Sequence, residues 1–526
     1  MNVKEKLKLS ARGSGGYICA RVMTSPRFAP ALLVTVLVSE FCVLFLKARR
    51  KPFWYDELLT FHISNLHPFS LLWRALRAGV DGMPPGYYLI VRLGSILPGD
   101  PHVTLRLPSI LGYILTLLGV YWFARKRLPA FAGLAAVFLI TLSPFREYAV
   151  EARSYSLLVG FFAISAALWQ RIGEKRFMTP LFALFLTLAV SCHHLAVVAI
   201  SAFGVAEFTW ILLWHRIRWG VWAACLLASC PFFLDLPLIV HLREVAGKHF
   251  WSPAHWDMIC TTYGDYLGLD WRLALVFVVF WGITVGYSLL QMLSRPRDGS
   301  LERDFALPEI ILVGGFLFYP ALLVALTKLL SKSGYTPRYG WPAILGLAVG
   351  SVYLVRPIWL KSSSAYLLVA LLIVFAVQEG SDFRTLYQAG SIRMDGRWTK
   401  LVELSRDEPG IPIAIGSGHK YLEAAEYAPP ELRDRLVVVV DEDIATRLVG
   451  SDTCDKTLRL LTEFIPLRVE DLAAFQAADQ RFILVSGGTR DWLTHYLVKS
   501  RYHLRLVSED AGGSLFIADG TRPSAR

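Results

Sequence analysis

The sequence predicts an α-helical polytopic membrane protein with about eleven transmembrane helices, followed by a C-terminal soluble α/β domain. Of its 526 residues, 54% are hydrophobic and only 18% are charged, whereas about 25% of an ordinary soluble chain is charged. Apolar runs long enough to cross a hydrocarbon core of about 30 Å recur up to residue 380. After that point the pattern changes to short β-rich runs separated by amphipathic segments.

The apolar runs give the predicted spans, and Lys and Arg give their orientation. The spans lie at 29–46, 107–123, 130–145, 155–170, 177–191, 195–214, 219–240, 271–292, 307–330, 339–355 and 364–378. Basic residues concentrate in alternate short loops, which the positive-inside rule places in the cytoplasm. The sequence therefore predicts a cytoplasmic basic tail (1–28), a transmembrane domain (29–380) with a first outer loop (47–106), and an extracytoplasmic α/β domain (381–526).

The net charge of +12 is confined to the membrane half, so it reflects topology and an anionic partner at the membrane. Nucleic acid is not an expected partner, whereas membrane lipids are. Of the seven Cys residues, Cys260 and Cys454 face the outside in this topology, and a bridge between them is allowed but not required. No Cys spacing matches a metal or redox motif.

The C-terminal region reads as a small α/β domain with parallel strands. Continuous apolar runs at 411–415, 436–440 and 482–485 predict strands covered on both faces. The intervening helices are predicted at 420–427, 454–461, 469–478 and 491–500, and a hairpin is predicted around Gly512 and Gly513. Gly416-Ser417-Gly418 lacks the complete dinucleotide-binding pattern and is interpreted as a tight strand-to-helix turn.

Acidic residues in the first outer loop are the main candidates for catalysis. Asp56 and Glu57 are neighbours and point about 100° apart on a helix, so they cannot share one ligand face. We expect Asp56 to face a cavity and Glu57 to pair with a base such as Arg50. Ordinary interfacial salt bridges are the alternative for Asp56 and Glu57, and Asp81 is a second candidate.

Basic residues on the outer side are candidates for binding an anion. Arg146 and Arg153 are seven residues apart, so a continuous helix would place both on one face, near Glu147 and Glu151. Charged groups at a membrane boundary are costly, which makes them a functional hypothesis. Mutually satisfied ion pairs are the alternative.

A second basic segment lies before a late span and contains Lys328, Lys332, Arg338 and Tyr339. Pro337 is a natural helix start, and Arg at a helix N-terminus opposes the macrodipole unless an anion is bound there. A phosphate or pyrophosphate head group would satisfy this segment, and snorkelling to lipid phosphates is the alternative.

No cofactor is firmly predicted. Outer histidines such as His193 and His194 could bind a divalent metal together with Asp56 or Asp81, but no fixed spacing supports such a site. The sequence therefore assigns no metal ligand and leaves open whether a divalent metal binds.

These motifs, in this order, resemble those of the type-C glycosyltransferases (GT-C), and more narrowly a family 39-like branch related to protein O-mannosyltransferases and to the lipid A aminoarabinose transferase. The resemblance covers about residues 30–380 and rests on short motifs. They are Asp56-Glu57, D-x-x-P-P-x-Y-Y at 81–88, Arg106-Leu107-Pro108-Ser109, E-A-R-x-Y at 151–155 and Pro337-Arg338-Tyr339. Many relatives have His before the Pro-Pro pair where this chain has Met83, which weakens any metal role carried over through that position.

The resemblance implies a polyprenyl-phosphate sugar donor, a glycan, lipid or protein acceptor on the outer face of the cell (inner) membrane, and inversion at the anomeric carbon. By position, Asp56 would be the catalytic base and Asp81 would orient acceptor or sugar. Arg153 and Arg338 would hold the donor phosphate, with Arg146, Lys328 and Lys332 less certainly involved.

Three other classes remain as alternatives at this point. An oligosaccharide polymerase or ligase using a polyprenyl-pyrophosphate donor usually centres on a later outer loop, whereas the acids here lie in the first. A lipid-linked sugar flippase would need midplane polar residues and an internal repeat, and the sequence has neither. A non-catalytic scaffold would leave Asp56, Arg153 and Arg338 without a role.

Overall fold

The structure is a computed structural model. It describes residues 27–246, 249–270, parts of 272–283, 307–331, 334–359, 364–388, 396–478, 481–487, 490–510 and 513–520. The basic tail before residue 27, most of the predicted span at 271–292, Lys332 and the hairpin turn at Gly512 lie outside these residues.

The membrane half is helical. After the first helix, four short helices form the first outer loop: Tyr55–Ser64, Phe69–Ala78, Pro85–Ser95 and Pro101–Thr104. The helices of the bundle are Phe28–Arg50, Leu107–Arg125, Ala130–Thr141, Tyr155–Trp169, Met178–Cys192, Ala196–Trp214, Trp219–Leu234, Leu236–Ala246, Met258–Leu267, Leu307–Leu317, Tyr319–Leu326, Ala343–Leu354, Arg356–Trp359 and Ser364–Gln388.

Several of the predicted spans are bent rather than straight. Within the described residues, four helices are long and apolar enough to cross a membrane, or up to seven if each bent pair is one span. The predicted spans at 130–145, 219–240 and 307–330 contain breaks that bend the chain by 71°, 43° and 52°. The membrane character is thus supported by several apolar helices, and the count of about eleven stays a prediction.

Two helices of the bundle approach unusually closely and set the position of the outer loops. At the crossing of Leu107–Arg125 with Tyr155–Trp169, a Cβ on Gly160 would collide with the backbone oxygen of Gly112. Small residues at such crossings let membrane helices pack backbone to backbone. Near one end of this pair, the Ser109 hydroxyl donates to the Arg153 backbone oxygen at 3.0 Å. The crossing therefore fixes the position of Arg153 relative to the first long loop.

The C-terminal part contains a six-stranded sheet in the order β3-β2-β1-β4-β6-β5. The strands are β1 (Ile413–Ile415), β2 (Leu436–Val440), β3 (Val469–Asp471), β4 (Arg481–Ser486), β5 (His503–Asp510) and β6 (Gly513–Asp519). Strands β1 to β4 pair in parallel, whereas β6 runs antiparallel to β4 and to β5. The helices are Gly396–Asp407, Gly418–Tyr427, Pro430–Arg433, Glu442–Val449, Thr453–Leu461, Leu472–Ala478 and Trp492–Lys499.

Most of the predicted elements of this region are present, with one correction. The three predicted strands correspond to β1, β2 and β4, and the predicted hairpin corresponds to β5 and β6. The predicted helix at 469–478 is wrong in its first turn, because Val469–Asp471 pairs with β2 as an edge strand. Cys260 and Cys454 are both free thiols, so the allowed bridge between them is not formed.

The C-terminal part that contains the six-stranded sheet, residues 396–520, is called the sheet region, and it packs directly on the membrane half. The Tyr427 hydroxyl accepts the backbone N–H of Phe53 at 2.6 Å and lies 3.0 Å from Nε2 of His102. Nearby, the ring of His419 packs on Tyr55 with a centroid separation of 4.6 Å. Because Tyr55 begins the helix that carries Asp56, the C-terminal region lies beside the candidate catalytic residue.

Candidate functional site

Asp56 lies in the first turn of the short helix Tyr55–Ser64. A carboxylate is favoured there by the partial positive charge of a helix N-terminus. Its side chain is only 14% exposed. Arg338 Nη1 donates to Asp56 Oδ2 at 2.7 Å, and Arg153 Nε lies 3.9 Å from the same oxygen. The structure thus brings together three residues that are separated by nearly 300 positions in the sequence.

Glu57, the neighbouring acid, has a different role. Its side chain is fully buried, and Arg106 donates to both carboxylate oxygens, at 2.7 and 2.6 Å. The backbone N–H of Ala152 donates to Oε1 at 2.7 Å. The partner expected from the sequence was a base such as Arg50, and the structure shows that it is Arg106. Glu57 therefore joins the first loop to the segment before Arg153, and its oxygens are already occupied.

Asp81 is the second carboxylate of the site. It accepts from Arg153 Nη1 at 2.9 Å, from the backbone N–H of Gly82 at 2.7 Å, and from the Tyr88 hydroxyl. Burial alone would raise the pKa of Asp81, but Arg153 and these hydrogen bonds outweigh it and hold the pKa below its usual range. Asp81 is therefore an ionised anchor that orients the Arg153 guanidinium.

Buried donors in this cluster lack partners. Arg153 Nε, Arg338 Nε, Trp54 Nε1 and the Tyr155 hydroxyl have no hydrogen-bond partner among the described residues. Arg338 also lies over the rings of Trp54, Tyr155 and Trp251, at 5.7, 5.9 and 5.5 Å from their centroids. Buried polar groups are almost always satisfied, so a group of unmet donors indicates a missing ligand. Donors on two cations indicate that this ligand is an anion.

Arg146 is not part of this cluster, contrary to the expectation that it binds the donor phosphate. Its guanidinium, 4% exposed, pairs with Glu40, Glu379 and Asp382. The continuous helix that would place Arg146 and Arg153 on one face is not formed. A 3₁₀ segment at Pro144–Val150 ends in an extended Glu151, so the two arginines point into different regions.

The acids near Arg146 and Arg153 are paired separately. Lys47 contacts Glu147 at 2.5 Å and Lys51 contacts Glu151 at 3.4 Å. Each glutamate is thus paired with its own lysine, and both lysines follow the predicted first span.

The remaining candidates are placed as follows. Tyr339 lies in the site, with its ring 5.1 Å from His193 and 6.4 Å from Tyr155. Lys328 donates to the backbone oxygen of Ala254 at 3.2 Å and is exposed. Its side chain makes no described contact with Asp56 or Arg338, and Lys332 lies outside the described residues.

The histidines beside the site are uncharged at neutral pH. Burial, with smaller contributions from His194, Arg153 and Arg338, lowers the pKa of His193 to about 3.

In the described part of the chain, no group of three or more His, Cys, Asp or Glu side chains is placed to hold a metal ion. Met83, which stands where relatives have His, accepts from the Ser154 hydroxyl at 3.3 Å.

Some residues of the site were missed from the sequence. Arg106 stood in a quoted motif, but its burial against Glu57 could not be seen because the two are 49 positions apart. Tyr88 stood in the 81–88 motif, and the acid at its start with two tyrosines at its end was the available signal. No motif in the sequence marks Trp251, His419 and Arg490, because only tertiary packing brings them to Arg338 and Asp56.

The described part of the chain combines a helical membrane bundle, a long first loop of short helices bearing acids, and a sheet region packed over that loop. This fold is similar to that of a solved structure. The structure of ArnT from Cupriavidus metallidurans in the apo state matches over 93% of this chain and 98% of its own, with a TM-score of 0.50 and 13% identity. At that identity the likeness shows a shared fold, and it confirms the resemblance at that level.

Two further matches have lower scores. ArnT from the same organism bound to undecaprenyl phosphate matches with a TM-score of 0.48, 14% identity and coverage of 93% and 97%. The Archaeoglobus fulgidus oligosaccharyltransferase in complex with Zn and sulfate gives a TM-score of 0.43, 10% identity and coverage of 91% and 72%. No family model and no curated protein matches the sequence.

Proposed function

We propose that the protein is a membrane glycosyltransferase that moves a sugar from a polyprenyl-phosphate donor to an acceptor on the outer face, with inversion and with Asp56 as the catalytic base. The observation that carries this proposal is the Asp56 carboxylate between two guanidiniums that each retain an unmet Nε–H. A general base and an anion clamp are the two elements that such a transfer needs.

The proposed reaction is a single displacement. The acceptor hydroxyl oxygen bonds to the anomeric carbon while the bond from that carbon to the donor phosphate oxygen breaks. The acceptor proton passes to Asp56, and the polyprenyl phosphate leaves with the electron pair of the broken bond. Asp56 raises the nucleophilicity of the acceptor, and the arginines stabilise the charge that develops on the leaving phosphate.

The two arginines have unequal freedom. Arg153, 4% exposed, is held by Asp81, by Thr60 and by the Asp56 backbone oxygen. Arg338 makes one charged hydrogen bond, to Asp56. We infer that the donor phosphate draws Arg338 away from Asp56, which frees the carboxylate to accept a proton. Arg153 would then be the fixed half of the clamp and Arg338 the movable half.

An apolar groove supports a lipid-linked donor. It has a volume of about 560 Å³ and lies between helix Ala196–Trp214 and the bent pair Leu307–Leu317 and Tyr319–Leu326. At its outer end, the Tyr319 hydroxyl donates to the Leu195 backbone oxygen at 2.8 Å, two residues from His193. An isoprenoid tail in this groove would bring its phosphate towards Tyr339 and Arg338.

The setting follows from the same proposal. The protein would span the cell (inner) membrane with its N-terminus in the cytoplasm and its sheet region outside. Its partners would be a polyprenyl-phosphate sugar, membrane lipids, and a glycan, lipid or protein acceptor. The ArnT structure with undecaprenyl phosphate supports this donor class, because that protein has the same fold.

The test is transfer of radiolabelled sugar from a panel of polyprenyl-phosphate sugars, in membranes that contain equal amounts of wild type and Asp56→Asn. Wild type should label an acceptor, and Asp56→Asn should lose at least about 10²-fold in rate, as expected for loss of a general base. Asp434→Asn, at an exposed acid of the sheet region, is the matched control and should retain full activity. Equal labelling by Asp56→Asn would exclude Asp56 as the base. If wild type labels nothing, the polymerase and flippase alternatives become the better proposals.

A further inference from the structure

One cation near the site has no role in the mechanism above. Arg490 lies between β4 and helix Trp492–Lys499, and its φ of +72° is in the left-handed region. That conformation costs a non-glycine residue about 1–2 kcal/mol. Arg490 thus adopts a strained backbone four residues after β4 ends.

The side chain of Arg490 reaches the membrane half. Its Nη2 donates to the Trp251 backbone oxygen at 3.2 Å, and its guanidinium lies 4.8 Å from the centroid of the Trp251 ring. Arg338 lies over the same ring at 5.5 Å. Two cations from different parts of the chain therefore share one indole, and only Arg338 has a carboxylate partner there.

Arg490 has no counter-ion among the residues that the structure describes. The neighbouring Asp491 is committed elsewhere, because its carboxylate accepts from Ser486, Gly487 and Thr494. The Arg490 side chain is partly buried, and this burial lowers the pKa of its guanidinium. An incompletely solvated cation is costly until an anion binds it.

A further unmet polar atom lies near the same region. His419 Nδ1 is buried and has no hydrogen-bond partner in the described part of the chain. The His419 ring packs on Tyr55, next to Asp56. Burial, reinforced by Arg490, lowers the pKa of His419 to about 4, so the ring is neutral at pH 7 and can donate or accept one hydrogen bond.

We propose that Arg490, with Trp251 and His419, forms a second anion-binding subsite that holds a phosphate or carboxylate group of the acceptor beside Asp56. This inference rests on the proposed function and deepens it, since it gives the acceptor an anionic group. The acceptor is favoured over the donor as the source of this anion for two reasons. The donor phosphate already has Arg153 and Arg338, and Arg490 and His419 come from the sheet region rather than from the bundle that contains the groove.

The first experiment measures binding without catalysis. Purified full-length protein is saturated with undecaprenyl phosphate and treated with phenylglyoxal, with and without inorganic phosphate, and modified arginines are quantified by mass spectrometry. Inorganic phosphate should slow modification of Arg490 at least about threefold and leave Arg501 unchanged. If undecaprenyl phosphate alone protects Arg490 fully, the anion belongs to the donor and the proposal is overturned. If neither protects it, no anion subsite exists at Arg490.

The second experiment compares two matched variants. Arg501 is also an arginine with positive φ in the sheet region, at +57°, and it is exposed. Glycine suits both backbones, so Arg490→Gly and Arg501→Gly should both fold. Arg490→Gly should lower sugar transfer to membrane acceptors at least about tenfold and keep its Kd for undecaprenyl phosphate within about twofold of wild type. Arg501→Gly should change neither quantity.

The outcomes separate this inference from the proposed function. A Kd for undecaprenyl phosphate that rises in Arg490→Gly as much as in Arg338→Ala would assign Arg490 to the donor and overturn the inference. Unchanged transfer by Arg490→Gly would also overturn it. If wild type transfers nothing, the proposed function fails, whereas protection of Arg490 by inorganic phosphate still supports the anion subsite.

Discussion

Two arginine clusters separated by seven positions in the sequence are built in opposite ways. Arg146 is one cation among three carboxylates, from Glu40, Glu379 and Asp382, and all its nitrogens have partners. Arg153 and Arg338 are two cations with two carboxylates, Asp56 and Asp81, and each keeps an Nε–H without a partner among the described residues. The first cluster is saturated and joins helices, whereas the second, here called the open cluster, is the one that we propose binds an anion. Residue type and spacing do not distinguish them, but hydrogen-bond satisfaction does.

The largest expected effect comes from a substitution that breaks the saturated cluster around Arg146. Arg146→Met leaves three carboxylates without their cation, and removing one partner of a buried ion pair costs about 3–5 kcal/mol. The variant should express poorly and lose a large part of its thermal stability in detergent, measured as Tm by intrinsic fluorescence. A wild-type Tm in Arg146→Met would show that this cluster is not structural.

The second prediction tests the open cluster. Arg338→Ala removes a charge-assisted hydrogen bond to the donor phosphate, which is worth about 1.5–3 kcal/mol. The Kd for undecaprenyl phosphate should rise about 10- to 10²-fold, while Tm changes far less than in Arg146→Met. Arg338→Lys keeps the charge without the planar fork and should fall between wild type and Arg338→Ala. Unchanged donor affinity in Arg338→Ala would remove Arg338 from the clamp.

The third prediction concerns the groove that leads to the open cluster. A Cβ on Gly314 meets no atom within 4 Å, so Gly314→Leu fits the fold and fills the groove. At about 0.8 kcal/mol per displaced methylene contact, the affinity for undecaprenyl phosphate should fall about 3- to 10-fold. Gly204→Leu, at an equally open glycine outside the groove lining, should bind the lipid as wild type does. Equal binding by both variants would place the tail elsewhere.

The smallest expected effect concerns a third case, a buried carboxylate without a cation partner among the described residues. Within those residues, Asp455 accepts from the Asp441 backbone N–H and from Trp492 Nε1, and burial raises its pKa from 3.8 to about 7. The folded state then binds a proton more tightly than the unfolded state, so stability falls as pH rises from about 4 to about 7 and levels off above. Wild type should be about 1 kcal/mol more stable at pH 6 than at pH 8, a Tm difference of about 2–4 °C. Asp455→Asn should reduce that difference, and a wild-type Tm independent of pH would contradict the prediction.

Much of the fold could be predicted, because both halves use strong local patterns. Apolar runs mark the helices of the bundle, and continuous apolar strands such as Leu436–Val440 mark the parallel sheet. The bends at 142–143, 235 and 318 could not be predicted, since hydropathy reports length and not direction. The sequence did not show that Arg146 and Arg153 separate, because Arg146 turns towards three acids supplied by the first and last helices of the bundle.

The candidate site could be predicted only in part. Asp56, Asp81, Arg153, Arg338 and Tyr339 come together, and their motifs were the signal. Arg106, Trp251, His419 and Arg490 depend on contacts across 49 to more than 200 positions. The sequence shows which side chains are chemically able to act. Only the packing shows which of them already have partners.

The contact between Gly112 and Gly160 restricts how the sequence can diverge among orthologues. Neither residue carries a functional group, yet any side chain larger than hydrogen at either position would force apart the two helices that position Arg106 and Arg153. In an alignment of orthologues, we therefore expect glycine to persist at both positions even where the acceptor differs. Divergence should instead accumulate at Trp251, His419 and Arg490, so this crossing and the outer rim of the site should change at very different rates.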